Sequence, residues 1–388
     1  MQTAHRLDHI RESVIREMTR LAIQHDAINL SQGFPDFAPP QPVMQAAIDA
    51  IQGGLNQYTV TWGYPPLRNK LAELYTGRLG WQVEADEHIV VTCGVTEALA
   101  AAMLAILNPG DEIIILDPAH ESFRPAALLA DARPVSVALE SPDFRLDGEK
   151  LVAAVTPRTK AMILNTPHNP SGRVFDEEEI AAVIDVVTKN DLVLITDEIY
   201  DRILYDGREH VSPGGLEPLK ERTITIGGFG KTYAVTGWRL GYAIAPTHLA
   251  RAVKPAHDFL TICAATPLQA AAVAALSLPA SFYEQMTADY HQRRALMCEI
   301  LSDLGFIFTE PQGAYYILAD YRGLPIPQAQ WDADRFARWM TAEIGVAVVP
   351  GPNFYGNPAD GEGLIRFAYP KKLETLRAAG QRMARLKG

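Results

Sequence analysis

Between Val43 and about Ala280 the chain alternates short apolar runs with Ala-rich helical stretches, and no other feature restricts its fold as much. The runs Glu112–Leu116, Lys160–Leu164, Leu192–Thr196, Thr223–Ile226 and Leu240–Ile244 are apolar almost throughout instead of at every second position. A strand of that kind is buried on both faces. Such strands separated by helices imply a mostly parallel sheet covered on either side. Open sheets of this class bind ligands beyond the carboxyl ends of their strands, so the polar residues that terminate each run are the first candidates for chemistry.

Three of these strand ends stand out. The run Asp191 to Tyr200 ends in Asp197, a carboxylate placed to face a crevice; buried there it needs a cationic partner, such as a protonated pyridine nitrogen. The competing role for Asp197 is a cap on the next helix or a bridge to an arginine. After Ala161–Leu164 the chain reads Asn165-Thr166-Pro167-His168-Asn169-Pro170-Ser171-Gly172, a sharp turn that offers the Asn169 amide either to a ring hydroxyl or to its own loop. Finally Ile224 to Gly230 runs into Lys231, followed by Gly237-Trp238-Arg239. A lysine amine condenses with an aldehyde and an arginine fork holds phosphate, so this spacing suits a carbonyl cofactor that carries a phosphate; solvated surface charges are the alternative. Upstream, Val90 to Leu99 reads as strand, glycine turn and helix start, where the free amides of Gly94, Val95 and Thr96 and the helix dipole offer an anion site; a helix cap with no ligand is the alternative.

Taken in chain order, Asn-Pro-Ser-Gly at 169–172, Asp-Glu-Ile-Tyr at 197–200, Lys231 with Gly237 and Arg239, and Ile365-Arg366-Phe367 resemble a class I aminotransferase, a pyridoxal-phosphate (PLP) enzyme of fold type I. The segments Ser31 to Phe37 and Asn56 to Arg68 are similar to those of the branch holding glutamine/kynurenine aminotransferases and a bacterial methionine aminotransferase. The resemblance implies that Lys231 bonds covalently to the cofactor and moves the proton between the substrate α-carbon and the cofactor. It implies that Asp197 pairs with the pyridine nitrogen and that Asn169 and Tyr200 hydrogen-bond the ring oxygen. Arg239 and the backbone of Gly94, Val95 and Thr96 would bind the phosphate. Arg366, with Asn169 and the backbone near Gly33, would grip the substrate carboxylate, and Tyr58 would reach the phosphate of a neighbouring subunit in a homodimer.

The chain departs from that family at two places. Serines usual around the reactive lysine are replaced in Gly228-Phe229-Gly230-Lys231, so the phosphate must rely on backbone amides, Arg239, Thr96 or water. The residue expected to stack on the cofactor ring falls on His120, with Phe123 as the other possible cover and the histidine's charge as a possible influence on the ring. No arginine stands out as a partner for a second, distal carboxylate, which favours neutral, fairly large donors such as Met, Gln, aromatic amino acids or kynurenine.

Composition narrows the partners. A formal net charge of -11, with no Lys/Arg run interleaved with aromatics, argues against nucleic acid. Cys93, Cys263 and Cys298 lack metal-ligand spacing and suit reduced thiols in the cytoplasm, with no metal site. Charged residues from His5 to Glu12 interrupt any signal-peptide core, and the longest apolar stretch, Ala98 to Leu107, is too short to span a bilayer. The spacing of Leu7, Ile10, Val14, Met18 and Leu21 predicts an amphipathic first helix. Beyond Ser281 the texture changes to helices at Glu284–Leu304, Ala333–Ile344 and Leu373–Leu386 and strands at Ala314–Leu318 and Gly363–Phe367. The expected fold is therefore α/β: a large cofactor-binding domain over 43–280, and a smaller α+β domain formed by 1–42 and 281–388. The expected activity is ping-pong amino transfer from an amino acid to a 2-oxo acid; the alternatives are a PLP-dependent carbon–sulfur β-lyase and a non-catalytic PLP-binding regulatory or structural protein.

Overall fold

The computed structural model describes residues 4–387. Its centre is a seven-stranded sheet made of β1 (Ile89–Thr92), β2 (Glu112–Asp117), β3 (Arg133–Ala138), β4 (Thr159–Asn165), β5 (Val193–Asp197), β6 (Thr223–Gly228) and β7 (Gly241–Ile244), in the order β1-β7-β6-β5-β4-β2-β3. All pairs are parallel except those of β7, which runs antiparallel to both β1 and β6. The alternation of side chains along each strand accounts for the continuous apolar runs. Ile113, Ile115, Ile163, Ile195 and Ile226 pack on one face with the Ala-rich helix α2 (Val95–Ile106), whereas Ile114, Leu116, Met162, Leu164 and Leu194 pack on the other with Val183, Val186 and Val187.

A separate antiparallel sheet lies later in the chain, ordered β10-β11-β9-β8 from β8 (Ile307–Phe308), β9 (Tyr316–Asp320), β10 (Val349–Pro350) and β11 (Leu364–Ala368). The long helix α3 (Ala280–Leu304) precedes it and ends on Gly305 in the left-handed conformation, at φ 92°. Near the start of the chain Ile28–Asn29 pairs in parallel with Val346–Ala347, which ties the N-terminal segment to the C-terminal part of the molecule.

The expectation of one first helix from Leu7 is corrected. His5–Leu7 is an isolated 3-10 turn, and α1 covers Val14–Gln24. Ser13 adopts an extended conformation and accepts the Arg16 N–H, so the helix is capped there whatever the apolar spacing upstream. Two later helices also end sooner in α geometry than the spacing suggests: Ala333–Trp339 widens into a π turn over Met340–Ile344, and Leu373–Met383 tightens into a 3-10 turn over Ala384–Lys387. Ala314, expected to begin a strand, sits at φ 55°, and the strand starts at Tyr316.

Candidate active site

The strand ends meet in one cavity of ≈ 440 Å³, whose wall includes Gly33, Gly94, Val95, Thr96, His120, Asn169, Asp197, Tyr200, Lys231, Arg239 and Arg366. Every site residue expected from the sequence is in that wall except Tyr58, which is 78% exposed on the surface of the single chain. Asn165 and Asp197 are in register on β4 and β5, so two of the polar terminators lie side by side at the same edge of the sheet.

Asp197 is buried, and its Oδ1 accepts the Ile199 N–H at 3.2 Å. The chain turns after it without forming a helix, so the carboxylate caps no helix. Burial pushes its pKa up to about 7, opposed by that backbone hydrogen bond and by the Lys231 charge. A cation placed against it would reverse the shift. Lys231 Nζ donates to the Gly33 carbonyl at 3.2 Å and lies 5.7 Å and 5.8 Å from the ring centres of Tyr200 and Tyr315.

At the same edge, just after β1, Gly94 caps the N-terminus of α2 at φ 83°, a conformation that favours glycine. A Cβ at Gly94 would stand 2.7 Å from Arg239 Nη2, and one at Gly241 would stand 2.7 Å from Val95 N. The result is a cradle of backbone beside an exposed guanidinium, open to the cavity at a helix N-terminus. The glycine at 228 also has a local cause. A Cβ there would meet Ile199 Cδ1 at 2.8 Å and Val95 Cγ2 at 3.0 Å, so two apolar branches occupy the room a serine would need. Thr96 and Thr236 both line the cavity and are the nearby hydroxyls; Thr236 was not singled out by the sequence.

At the other end Arg366 is fully buried, with its guanidinium 4.4 Å from the Tyr316 ring centre and 4.8 Å from that of Phe354. Nη1 donates to Asn169 Oδ1 at 2.9 Å and Nη2 to the Ser31 carbonyl at 2.6 Å, while Nε is buried without a partner. Burial lowers its pKa from the ordinary arginine value. Asn169 is thus not absorbed in its own turn; Asn165 Oδ1 does that work by accepting the Asn169 N–H at 2.7 Å. Tyr200 shares a 2.9 Å hydrogen bond with the hydroxyl of Tyr316 and stands 3.5 Å from the Asn169 amide nitrogen. Tyr316 is a site residue that sequence reasoning missed.

His120 lies in the cavity wall, whereas Phe123 is buried in the core on the α2 side of the sheet. Its Nδ1 is 2.7 Å from Ser122 Oγ, and burial together with the Arg366 and Lys231 charges lowers its pKa to about 3. The imidazole is therefore neutral near pH 7, which corrects the expectation that its charge could act on a neighbouring ring. Next to it, Glu121 accepts from the Ser13 hydroxyl and from Asn353 Nδ2, the latter at 3.3 Å. Arg16, exposed on α1, also lines the mouth and was not noticed in the sequence. Among the described residues no group of His, Cys, Asp and Glu side chains is arranged to hold a metal ion, and no helix is long and apolar enough to cross a membrane.

A lysine and an acid at one edge of the sheet, a backbone cradle at a helix N-terminus and a buried arginine facing them line a single polar cavity. Comparison with known proteins identifies the family. The chain belongs to the class I and II aminotransferases, whose family model matches residues 25–381. It is 35% identical to methionine aminotransferase of Escherichia coli, over 98% of this chain and 97% of that one, and 34% identical to mouse kynurenine–oxoglutarate transaminase 1, over 99% and 98%. The solved structure of N-succinyldiaminopimelate aminotransferase from Mycobacterium tuberculosis superposes with a TM-score of 0.95 at 35% identity, covering 99% of this chain and 100% of that one. The fold is that of the fold type I aminotransferases, and the chain is a transaminase.

Proposed function

We propose that this transaminase takes PLP as its cofactor, Lys231 as its attachment point, and neutral, fairly large amino acids as donors, with a 2-oxo acid as acceptor. The observation that carries the reading is the single cavity in which Lys231, the uncompensated Asp197 carboxylate and the Gly94 cradle with Arg239 face Arg366. The residues fit the group: Asp197 is a buried acid awaiting a cation, and the cradle has no room for a Cβ. Asp197 would hold the ring nitrogen, Tyr200 and Asn169 the ring oxygen, and Arg239 with the amides of Val95 and Thr96 the phosphate. His120 would lie against the ring. When bound, PLP supplies the carbonyl that receives the amino group and a ring that takes up charge from the substrate carbon.

Arg366, helped by Asn169 and the backbone of Gly33, would fix the substrate carboxylate, and its buried setting makes that contact strong and directional. Lys231 Nζ, near the phenols of Tyr200 and Tyr315, would carry the proton from the substrate α-carbon and return it. Tyr316 and Phe34 line one side of the cavity, where they would shield the transfer from solvent. For the donor side chain, Ile15 and Phe34 offer apolar wall, and the Glu121 carboxylate opposes a second carboxylate placed beside it. Methionine and kynurenine, named for two relatives, are donors of this kind.

The same reading includes a cofactor-binding unit over 43–280 and a smaller one from 1–42 and 281–388, supported by the separate sheets, and a homodimer in the cytoplasm. Tyr58 at 78% and Phe259 at 92% exposure leave aromatic surface for a second copy to cover, with Tyr58 reaching its phosphate. The three cysteines are free thiols, which suits a reducing compartment. The test is reconstitution with PLP followed by visible absorbance during stepwise addition of single amino acids and then of oxo acids. Met, Gln, Phe or kynurenine should discharge the cofactor spectrum at lower concentration than Asp or Glu. A preference of tenfold or more for Asp or Glu, abolished by Arg16→Gln, would replace the neutral-donor reading with a dicarboxylate one.

A further inference from the structure

The loop from Ser31 to Phe34 forms one wall of the cavity, and each of its carbonyls is held by a side chain from far along the chain. Ser31 O accepts from Arg366 Nη2 at 2.6 Å, and Gly33 O accepts from Lys231 Nζ at 3.2 Å and from the Tyr315 hydroxyl at 2.9 Å. The two remaining carbonyls share one donor: Lys371 Nζ is 2.7 Å from Phe34 O and 3.5 Å from Gln32 O, and 3.8 Å from the centre of the Phe34 ring. Lys371 is 2% exposed. No carboxylate among the described residues forms an ion pair with it; its ammonium is met by backbone dipoles and a ring face. Such a buried charge is costly unless its surroundings are fixed, so the loop and the lysine hold each other in place.

The position has a consequence for Gly33. In a trans peptide the C=O and N–H lie in one plane and point in opposite directions. With Gln32 O turned toward Lys371 and also accepting the Phe34 N–H at 2.9 Å, the Gly33 N–H is turned away from Lys371. Gly33 itself lines the cavity and is pressed against Tyr316, whose hydroxyl would lie 2.0 Å from any Cβ there. The far side of the loop is anchored beside the same lysine, where Asp36 accepts from the Lys372 N–H at 2.6 Å and the Thr375 hydroxyl at 2.7 Å.

We propose that Lys371 is a positioning residue for substrate carboxylates: its ammonium fixes the peptides of Gln32 and Phe34 so that the Gly33 backbone faces the ligand gripped by Arg366. This rests on the reading of Arg366 and Gly33 as the carboxylate site. Burial holds the Lys371 ammonium at about 8, below the ordinary lysine value, with Asp36 opposing the shift. The charge is therefore retained near neutral pH in a place where a methionine of similar length would also fill the space.

The test compares wild-type holoenzyme with Lys371→Met and Lys371→Arg by hydrogen exchange of the 31–37 amides and by steady-state kinetics. In Lys371→Met the loop amides should exchange about tenfold faster, and KM for every amino donor and oxo acid should rise about tenfold, with kcat within about twofold. Lys371→Arg, which keeps the charge and the donors, should restore most of both. A folded Lys371→Met with unchanged exchange and unchanged KM overturns the proposal and makes Lys371 a space filler. Faster exchange with unchanged KM also overturns it, by separating the loop from carboxylate binding, and in that case the carboxylate site lies elsewhere than Gly33. Should Lys371→Met not fold, Lys371→Arg must fold with wild-type loop protection; failure of both variants alike would overturn the proposal in favour of a strict volume requirement.

Discussion

At one end of the cavity the anion cradle is made of backbone amides and one exposed arginine, Arg239; at the other a fully buried arginine, Arg366, has already given two nitrogens to protein oxygens. The cradle depends on the absence of side chains. A Cβ at Gly241 would collide with the backbone of Gly94 and Val95, and one at Gly94, besides its positive φ, would displace the Arg239 guanidinium, so the main chain shapes the cradle and an exposed side chain supplies its charge. The Arg366 end depends on groups brought from four separate stretches of sequence, and its desolvation has been met in advance by the Asn169 amide oxygen, the Ser31 carbonyl and the rings of Tyr316 and Phe354. On the proposed reading, shape would select at the first end and pre-set charge at the second. The cradle should therefore be sensitive to added volume and tolerant of small electrostatic change, and the Arg366 end the reverse.

Lys231 stands between the two and gives the largest expected effect. Lys231→Ala should abolish transamination in a folded chain, and borohydride reduction of the wild type followed by peptide mapping should place the pyridoxyl mass on Lys231. A pyridoxyl mass on another lysine would remove the centre from which both ends are measured. Asp197 comes next, since a ring nitrogen without its acid accepts charge poorly: Asp197→Ala should lose several orders of magnitude in kcat. The same residue makes a prediction about stability. Its folded value of about 7 lies above the ordinary aspartate value of about 3.9, so between these limits the cofactor-free folded chain holds a proton that the unfolded chain has released. Stability due to this group is complete below about pH 4 and is lost as pH rises to about 7, by up to about 4 kcal/mol. Thermal melts of the cofactor-free protein from pH 4 to 8 should show that slope, and Asp197→Asn should flatten it.

The comparison itself is sharpened by two smaller changes, one at each end. Arg366→Lys keeps the charge and loses the fork, so KM should rise about 30-fold or more for all donors and all acceptors together, through the loss of a charge-assisted contact and of Asn169's partner. An effect limited to one donor class would move Arg366 to the side-chain pocket. Gly94→Ala adds one methyl group and no charge; it should weaken PLP binding about tenfold, read by fluorescence quenching during titration, while leaving KM for the amino acid nearly unchanged. If Gly94→Ala raised KM and spared PLP affinity, the division between a volume-sensitive and a charge-sensitive end would fail.

The strand-end part of the site was the more legible in sequence, for a physical reason. Asn165, Asp197 and Lys231 each follow an apolar run, and a parallel sheet brings the ends of its strands to a common edge, so local pattern was enough to bring them together. The Arg366 end rests on the carbonyl oxygens of Ser31, Gly33 and Phe34 and on Tyr316 and Lys371. Carbonyls carry no residue signature, and partners from remote segments show no period. Direction was lost as well as contact: Leu240–Ile244 read correctly as a strand, but its antiparallel sense follows from the Lys231 loop, which has no crossover helix long enough to return the chain. At α1 the spacing of Leu7 and Ile10 imitated a helix that Ser13 begins only later, because a cap overrides apolar spacing on its N-terminal side.

The hydrogen bond from Arg366 to the Ser31 carbonyl joins residues 335 positions apart. On a ribosome adding roughly 5–20 residues per second, the Ser31 loop emerges on the order of 20 s to a minute before the arginine that will hold it exists. The cradle from Gly94 to Gly241 and its sheet can assemble in that interval, while the N-terminal segment waits with its apolar face uncovered. A chain completed only as far as β7 thus holds every residue of the cradle and none of the Arg366 stretch, and its first α-helix lacks the C-terminal segment that it packs against.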